Sequence, residues 1–207
     1  MIYTDRAAAG RALGAELEHL RASMPLVLGL PRGGVPVAAA IRDVIGGDLD
    51  ILLVRKLGVP WQPELAMGAI GEDGVRVLNP DVLSHIGISP QHFDEIEDRE
   101  RVELERRRAM WRGDAEPVAI AGRTTVIVDD GMATGATMVV ACRVARLHQP
   151  TRIVVAVPVS SSEAVYRAAG EADEIVCPWI PESLGGVGSA YRDFHQLEDD
   201  EVTDLLT

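Results

Sequence analysis

The chain has 207 residues, 47% of them hydrophobic, which predicts one domain over residues 1–207 with one sizeable core. Its formal net charge of -12 argues against nucleic-acid partners, because sequence-independent binding needs a basic surface that displaces counterions from phosphates. The apolar runs are too short to span a bilayer, and the opening MIYTDRAAAG lacks the regions of a signal peptide. We therefore expect a cytoplasmic protein without a membrane partner.

Five short apolar runs, each bounded by turn residues, are typical of buried strands in a parallel sheet. They are residues 25–30, 49–54, 124–129, 152–158 and 174–178. The intervening residues 34–46, 135–148 and 161–170 have the length and composition of crossover helices. The sequence therefore predicts a doubly wound α/β fold.

The interval between the second and third strands is about seventy residues, more than an ordinary connection needs. We therefore expect an insertion over about residues 57–118. Its first part contains residues typical of turns, namely Gly58, Pro60, Pro63, Gly71 and Gly74, and this content is compatible with a loop that opens and closes. A charged helix near residues 91–111 follows, and its i,i+4 ion pairs indicate a solvated face without chemistry.

The two cysteines, Cys142 and Cys177, lack CxxC or metal-ligand spacing, so we expect neither a disulfide nor a zinc site. Both are expected as buried free thiols. The tail EDDEVTDLL, residues 198–206, is short and acidic.

The most informative segment is VIVDDGMATGATM, residues 126–138. Asp129 and Asp130 end an apolar strand, at the sheet edge where open α/β sheets bind ligands. Gly131 and Gly135 permit tight turns, and loop amides beside the next helix suit a phosphate dianion. Because sugar hydroxyls donate to carboxylates, the acid pair and the loop together predict a ribose 5-phosphate site.

Residues 126–137 resemble the signature with which type I phosphoribosyltransferases bind 5-phosphoribosyl-1-pyrophosphate (PRPP). The resemblance implies a Rossmann-like parallel sheet with flanking helices, a flexible-loop and helical insertion, and a small C-terminal hood. It implies that Asp129 and Asp130 hold the 2- and 3-hydroxyls of the ribose. It further implies that the 5-phosphate is wrapped by Ala133, Thr134, Gly135, Ala136 and Thr137. An ordinary βα turn with an Asp cap is the alternative, while GxxxxGK[ST] and GxGxxG motifs are absent.

Two basic segments are similar to the pyrophosphate site of the family. In GLPRGGVPVA, the resemblance implies that loop amides at Gly33 and Gly34, with the Arg32 side chain, grip the pyrophosphate. It also implies a cis peptide bond near Arg32. In RKLGVP, Arg55 and Lys56 stand at the base of the loop expected to close over the pyrophosphate. Plain strand-end charges are the alternative for this pair.

Phosphoribosyl transfer needs stabilisation of an oxocarbenium-like ribose and of the departing pyrophosphate. The resemblance implies Mg²⁺ that rides largely on PRPP, with an indirect or partial role for Asp130 and Asp129 in holding it. It implies catalytic roles, but not that of a nucleophile for either acid, for Asp129, Asp130, Arg32 and Lys56. Adjacent acids on one strand end cannot flank a bond from opposite faces, which argues against glycoside hydrolysis. Glu64 is an acid candidate, with a plain exposed loop charge as the alternative.

The acceptor is expected in a hood over about residues 177–198, where Trp179, Tyr191 and Phe194 offer rings for stacking. Packing in the core or hood is the alternative for each. Ala133 stands where 6-oxopurine enzymes of the family usually carry a third acid, which argues against hypoxanthine, guanine or xanthine. The acceptor stays open.

The order of these segments over residues 28–200 resembles a group of predicted bacterial phosphoribosyltransferases of unassigned acceptor. The resemblance implies PRPP-dependent transfer to a nucleobase or small amine, with release of pyrophosphate. The alternatives are a regulatory module that binds PRPP or a nucleotide without turnover, and a phosphoribosyl hydrolase. Intact Arg32 and Lys56 favour turnover. The expected partners are PRPP and a small-molecule acceptor, and the resemblance also implies a homodimer.

Overall fold

The computed structural model describes residues 2–206, which form eight strands and seven α-helices. The strands are β1 (Leu26–Gly29), β2 (Asp48–Ile51), β3 (Val54–Val59), β4 (Gln62–Gly71), β5 (Arg76–Leu78), β6 (Thr124–Val128), β7 (Arg152–Ala156) and β8 (Glu174–Val176). The α-helices are α1 (Arg6–Glu16), α2 (Gly34–Ile45), α3 (Pro80–Ile86), α4 (Pro90–Trp111), α5 (Ala136–Leu147), α6 (Ser162–Ala168) and α7 (Asp199–Leu206).

The central sheet is parallel, in the order β2, β1, β6, β7, β8, and confirms the predicted α/β class. Its inner strands β1, β6 and β7 are mostly apolar and β-branched, and all their residues except the first of β6 and of β7 are buried. Val27, Val126 and Val154 lie side by side in register and pack with Ile41 of α2 on one face. Met138 of α5 lies in the apolar cluster on the other face. The carboxyl ends of β1 and β6 therefore meet at one edge.

The first part of the insertion is an antiparallel sheet in the order β3, β4, β5, where the sequence predicted a mobile loop. Leu57 and Met67 are fully buried in a cluster with Phe93 of α4. Their burial stabilises a β-hairpin in a segment whose composition suggested turns. The hairpin reverses at Pro60 and Trp61, whereas Gly58 and Pro63 lie within β3 and β4.

The charged helix predicted near residues 91–111 is α4, and it carries i,i+4 ion pairs such as Arg101 with Glu97. Helices α1 and α7 were not predicted from the sequence. The acidic tail forms α7 because Val202, which is fully buried, packs into the same cluster as Trp111 of α4. The C-terminal segment is therefore fixed against the insertion.

A buried ionic cluster joins the end of the insertion to the central sheet. Arg112, with a side chain 4% exposed, donates to Asp50 and to Glu72, each at 2.8 Å. Asp50 also accepts from the amide of Val118 at 2.8 Å. Burial is the largest cause of the raised pKa of Glu72, and Arg112 opposes it. Because breaking a buried ion pair leaves an uncompensated charge, the cluster fixes the base of the hairpin.

No helix among residues 2–206 has the length and apolar character needed to cross a membrane. Both cysteines are free, with Cys142 buried and Cys177 half-buried. Burial raises the pKa of Cys142 to about 12 and that of Cys177 to about 11. Both thiols are therefore protonated at neutral pH and are poor nucleophiles.

Candidate functional site

The acid pair lies directly after β6, at the carboxyl edge of the sheet. The Asp130 amide donates to Asp129 Oδ1 at 2.9 Å, and Arg6 Nε donates to Asp130 Oδ2 at 2.9 Å. The Tyr191 hydroxyl donates to the carbonyl oxygen of Asp130 at 2.6 Å. These contacts hold the pair in place without any ligand.

Burial raises the pKa of both carboxyl groups in this pair. For Asp129, lost hydration is the largest cause of the raised pKa, and the charge of Asp130 adds to it. For Asp130, burial again raises the pKa, while the hydrogen bond and charge of Arg6 act in the opposite direction. A ligand that donates hydrogen bonds or carries positive charge would compensate these desolvated carboxyl groups.

The loop after the acid pair, residues 131–138, borders a cavity of about 230 Å³ together with Asp129 and Val187. Gly135 has a φ of 75°, in the left-handed region, and this conformation lets the loop enter α5 directly. As the N-cap of α5, Gly135 makes no side-chain cap hydrogen bond. The Ala136 amide donates weakly to Thr134 Oγ1 at 3.4 Å, and the amides of this first turn can serve an anionic ligand.

The loop after β1 carries the basic residue and glycines predicted for pyrophosphate. The Pro31–Arg32 peptide bond is cis, as the resemblance implied. A Cβ on Gly33 would lie 2.0 Å from Asp130 Oδ2, and one on Gly34 would lie 2.3 Å from the carbonyl oxygen of Val128. Glycine at these two positions therefore allows this loop to approach the acid pair closely.

The Arg32 side chain contacts the C-terminal segment. Its Nη1 donates to the carbonyl oxygen of Leu197 at 2.9 Å, and its Nε pairs with Asp199 Oδ1 at 3.0 Å. The indole Nε1 of Trp111 donates to the same Asp199 oxygen at 3.0 Å. An anion that binds Arg32 would therefore either share its guanidinium with the Asp199 carboxylate or displace that carboxylate.

The hairpin β3–β4 places Lys56 near residues 131–138, the predicted phosphate loop. Lys56 Nζ lies 3.5 Å from Glu64 Oε2, and Thr134 Oγ1 donates to the same oxygen at 3.2 Å. Arg55 is held by Glu100 of α4, to which its Nε donates at 2.7 Å. The structure thus brings Lys56 and Glu64 together with the phosphate loop, while Arg55 pairs with the insertion helix.

Residues 2–183 match the family model of the phosphoribosyl transferase domain. The chain belongs to the phosphoribosyl transferase domain family. Two Mycobacterium tuberculosis proteins, from strains CDC 1551 / Oshkosh and ATCC 25618 / H37Rv, each named "Putative phosphoribosyl transferase", are 49% identical over 205 residues. These matches cover 99% of this chain and 46% of each relative, so the chain spans about half of their length.

The crystal structure of TT1426 from Thermus thermophilus is similar to the whole chain, with a TM-score of 0.92 and 42% sequence identity. The match covers 100% of this chain and 98% of TT1426. The antiparallel hairpin and the C-terminal segment therefore lie within the matched region. The resemblance inferred from residues 126–137 is confirmed for the family and for the fold.

Within this phosphoribosyl transferase fold, the aromatic residues of the predicted hood mostly take part in packing. Tyr191 is 7% exposed, and its ring stacks on Phe194 with 5.0 Å between centroids. The Arg6 guanidinium carbon lies 4.0 Å from the centroid of Phe194. Trp179 is half-buried against the cluster that contains Tyr3. Tyr191 therefore lies in the packed environment that was its stated alternative, and its stacking on an acceptor stays a prediction.

Sequence reasoning missed two residues that act on the site through others. Arg6, at the start of α1, holds Asp130 from 124 positions away in the sequence. Asp199, at the start of α7, holds Arg32 and Trp111. Neither stands in a motif, and only the packing of the terminal helices onto the body brings them to the site. Neither contact can be found from the sequence without a prediction of the tertiary structure.

Proposed function

We propose that the chain binds PRPP and transfers its phosphoribosyl group to a nitrogenous acceptor, with release of pyrophosphate. The supporting observation is the close approach of the acid pair to two loops, residues 131–138 and residues 31–34. PRPP has three parts: a 5-phosphate, a ribose diol and a 1-pyrophosphate. The 5-phosphate suits the phosphate loop (residues 131–138), the diol suits the acid pair, and the pyrophosphate suits the basic loop (residues 31–34). Membership of the family supports the same activity.

In this proposal the acid pair binds the ribose. The two ring hydroxyls donate to Asp129 and Asp130, and their hydrogen bonds replace the hydration that burial removed. Arg6 keeps the Asp130 carboxylate in position at 2.9 Å. The loop amides and the hydroxyls of Thr134 and Thr137 receive the 5-phosphate, at the N-terminus of α5.

The basic residues stabilise the leaving group. Negative charge accumulates on the pyrophosphate as the ribose–oxygen bond breaks, so cations placed beside it favour the transition state. Arg32 belongs to the loop that approaches Asp130, and Lys56 lies at the base of the hairpin. Glu64 now takes a hydrogen bond from Thr134 and an ion pair from Lys56, and the phosphates of PRPP would compete with it for both.

Magnesium is the cofactor that the family implies, and the residues present fit it. Mg²⁺ keeps several waters and binds through one or two carboxylates together with substrate phosphates. Asp129 and Asp130 offer such carboxylates, whereas residues 2–206 contain no group of three or more His, Cys, Asp or Glu suited to a metal. When bound, the ion neutralises charge on the pyrophosphate. Asp130 is the proposed indirect contact.

The acceptor stays a nitrogenous base or small amine. Ala133 supports an acceptor other than a 6-oxopurine, and the half-buried Trp179 and the more exposed Phe194 remain candidates for contact with it. The expected homodimer also stays a prediction.

Turnover is tested by measuring pyrophosphate release from PRPP and Mg²⁺ with a panel of bases and amines. We expect release that depends on one class of acceptor. Release without any acceptor would indicate a hydrolase, and PRPP binding without release under any condition would favour the regulatory alternative. The variant Lys56→Gln is expected to slow release by about tenfold or more, since it removes a cation that stabilises the leaving group.

The variant Asp199→Asn tests whether Arg32 binds the leaving group. In this variant a neutral amide replaces the carboxylate that pairs with Arg32. Inorganic pyrophosphate then no longer competes with that carboxylate for Arg32, so we expect its binding to tighten by about threefold to tenfold. Isothermal titration of pyrophosphate into the wild type and the variant measures the change. Asp200→Asn removes an exposed neighbouring charge and is the matched control. Equal affinities in all three proteins would argue against an anion at Arg32.

A further inference from the structure

A cavity of about 320 Å³ lies beside the basic loop, between the carboxyl ends of the strands and the insertion helix α4. Four of its lining residues come from the site already described: Pro31, Arg55, Lys56 and Thr137. Arg107 and Trp111 of α4 also line it. The helix to which the sequence assigned no chemistry therefore forms one wall of the proposed PRPP site.

Arg107 is placed to present a guanidinium to this cavity. Its side chain is 30% exposed, and its Nε donates to Glu103 Oε1 at 2.6 Å. The guanidinium carbon lies 5.7 Å from the centroid of the Trp111 ring. Within residues 2–206 these contacts leave the terminal nitrogens of Arg107 available for an anion. Arg55, which also lines the cavity, is more fully engaged, since both Nε and Nη2 contact Glu100.

Arg106 and Arg107 are adjacent on α4, but Arg107 lines the cavity and Arg106 does not. Arg106 donates through Nε and Nη2 to the same Glu103, yet its side chain is 56% exposed and is not among the residues that line the cavity. The hydrogen bonds of both arginines lower the pKa of Glu103 to about 2. Glu103 thus stays ionised and anchors Arg107 through its Nε.

We propose that Arg107 binds the pyrophosphate end of PRPP, as a cation supplied by α4 in addition to Arg32 and Lys56. The inference rests on the proposed function. A pyrophosphate group presents several anionic oxygens, and the planar fork of arginine donates to two of them at once. Arg107 and Lys56 line the same cavity, so the leaving group would contact both the hairpin and α4.

The test compares Arg107→Gln with the matched control Arg106→Gln and with Arg107→Lys, all as the full chain. Calorimetric titrations use PRPP with Mg²⁺, inorganic pyrophosphate with Mg²⁺, and ribose 5-phosphate. We expect Arg107→Gln to weaken PRPP and pyrophosphate binding by about tenfold or more, and to leave ribose 5-phosphate binding unchanged. Arg107→Lys should lose less affinity because it keeps the charge, and Arg106→Gln should match the wild type.

The outcomes separate this inference from the proposed function. Wild-type protein that binds neither PRPP nor pyrophosphate would overturn both. Wild-type protein that binds PRPP, with equal affinity in Arg107→Gln, would overturn the role of Arg107 alone. Equal losses in Arg106→Gln and Arg107→Gln would indicate a general effect of helix charge, and an equal loss for ribose 5-phosphate would place Arg107 away from the pyrophosphate end. Thermal unfolding of each variant confirms that the fold is retained.

Discussion

The variant Asp129→Asn is expected to weaken PRPP binding by more than about tenfold and, at the same time, to raise the free energy of unfolding by about 0.5–2 kcal/mol at neutral pH. Binding falls because a neutral amide is a weaker acceptor for a sugar hydroxyl. Stability rises because burial and the charge of Asp130 disfavour the ionised form of Asp129. Titration calorimetry and urea unfolding measure the two effects.

The stability effect has a defined pH dependence. The pKa of Asp129 is raised in the folded state, so its contribution is fully present below the unfolded pKa and is lost as pH rises through the folded pKa. Asn has no such loss, and the stability advantage of the variant should therefore grow from acidic to neutral pH. The exposed Asp114→Asn is the control and should show neither effect. A less stable Asp129→Asn protein would contradict the view that Asp129 is kept for binding.

Alanine at the two glycines of the basic loop is expected to give different defects. In Gly34→Ala the new Cβ meets the backbone carbonyl of Val128 at 2.3 Å, so we expect a loss of about 1–3 kcal/mol in unfolding free energy. In Gly33→Ala the three atoms nearest the new Cβ all belong to the Asp130 side chain, with Oδ2 at 2.0 Å. That carboxylate must shift away from Arg6, so this variant should keep most of its stability and lose most of its PRPP affinity.

Urea unfolding and calorimetry on both variants distinguish these defects. Gly185→Ala is a suitable control, because a Cβ at that position meets nothing within 4 Å. It should resemble the wild type in both measurements. If Gly33→Ala binds PRPP like the wild type, the contact between the basic loop and the acid pair has no role in binding.

The sheet and the local part of the site could be predicted because both depend on neighbours in sequence. Apolar runs indicated the parallel strands, and one continuous segment holds Asp129, Asp130 and the phosphate loop. The hairpin was not predicted, since burial of Leu57 and Met67 against α4 outweighs the turn-forming residues around them. Intrinsic preference is a weak guide where tertiary packing decides the structure.

Residues that complete the site from distant elements could not be predicted. Arg6 reaches Asp130 only after α1 packs on α2, and Asp199 reaches Arg32 only after α7 packs on the insertion. The periodicity of α4 indicated a solvated face, but it could not show that Arg107 lines a cavity while Arg106 does not. Such differences depend on what lies opposite each residue.

Calorimetric titration of PRPP with Mg²⁺ into the wild type, beside the double variant Asp129→Asn, Asp130→Asn, tests the central claim most directly. The proposed site predicts saturable binding by the wild type and its loss in a double variant that remains folded. Absence of binding by a well-folded wild type, or undiminished binding by the double variant, would contradict the assignment of the acid pair to PRPP.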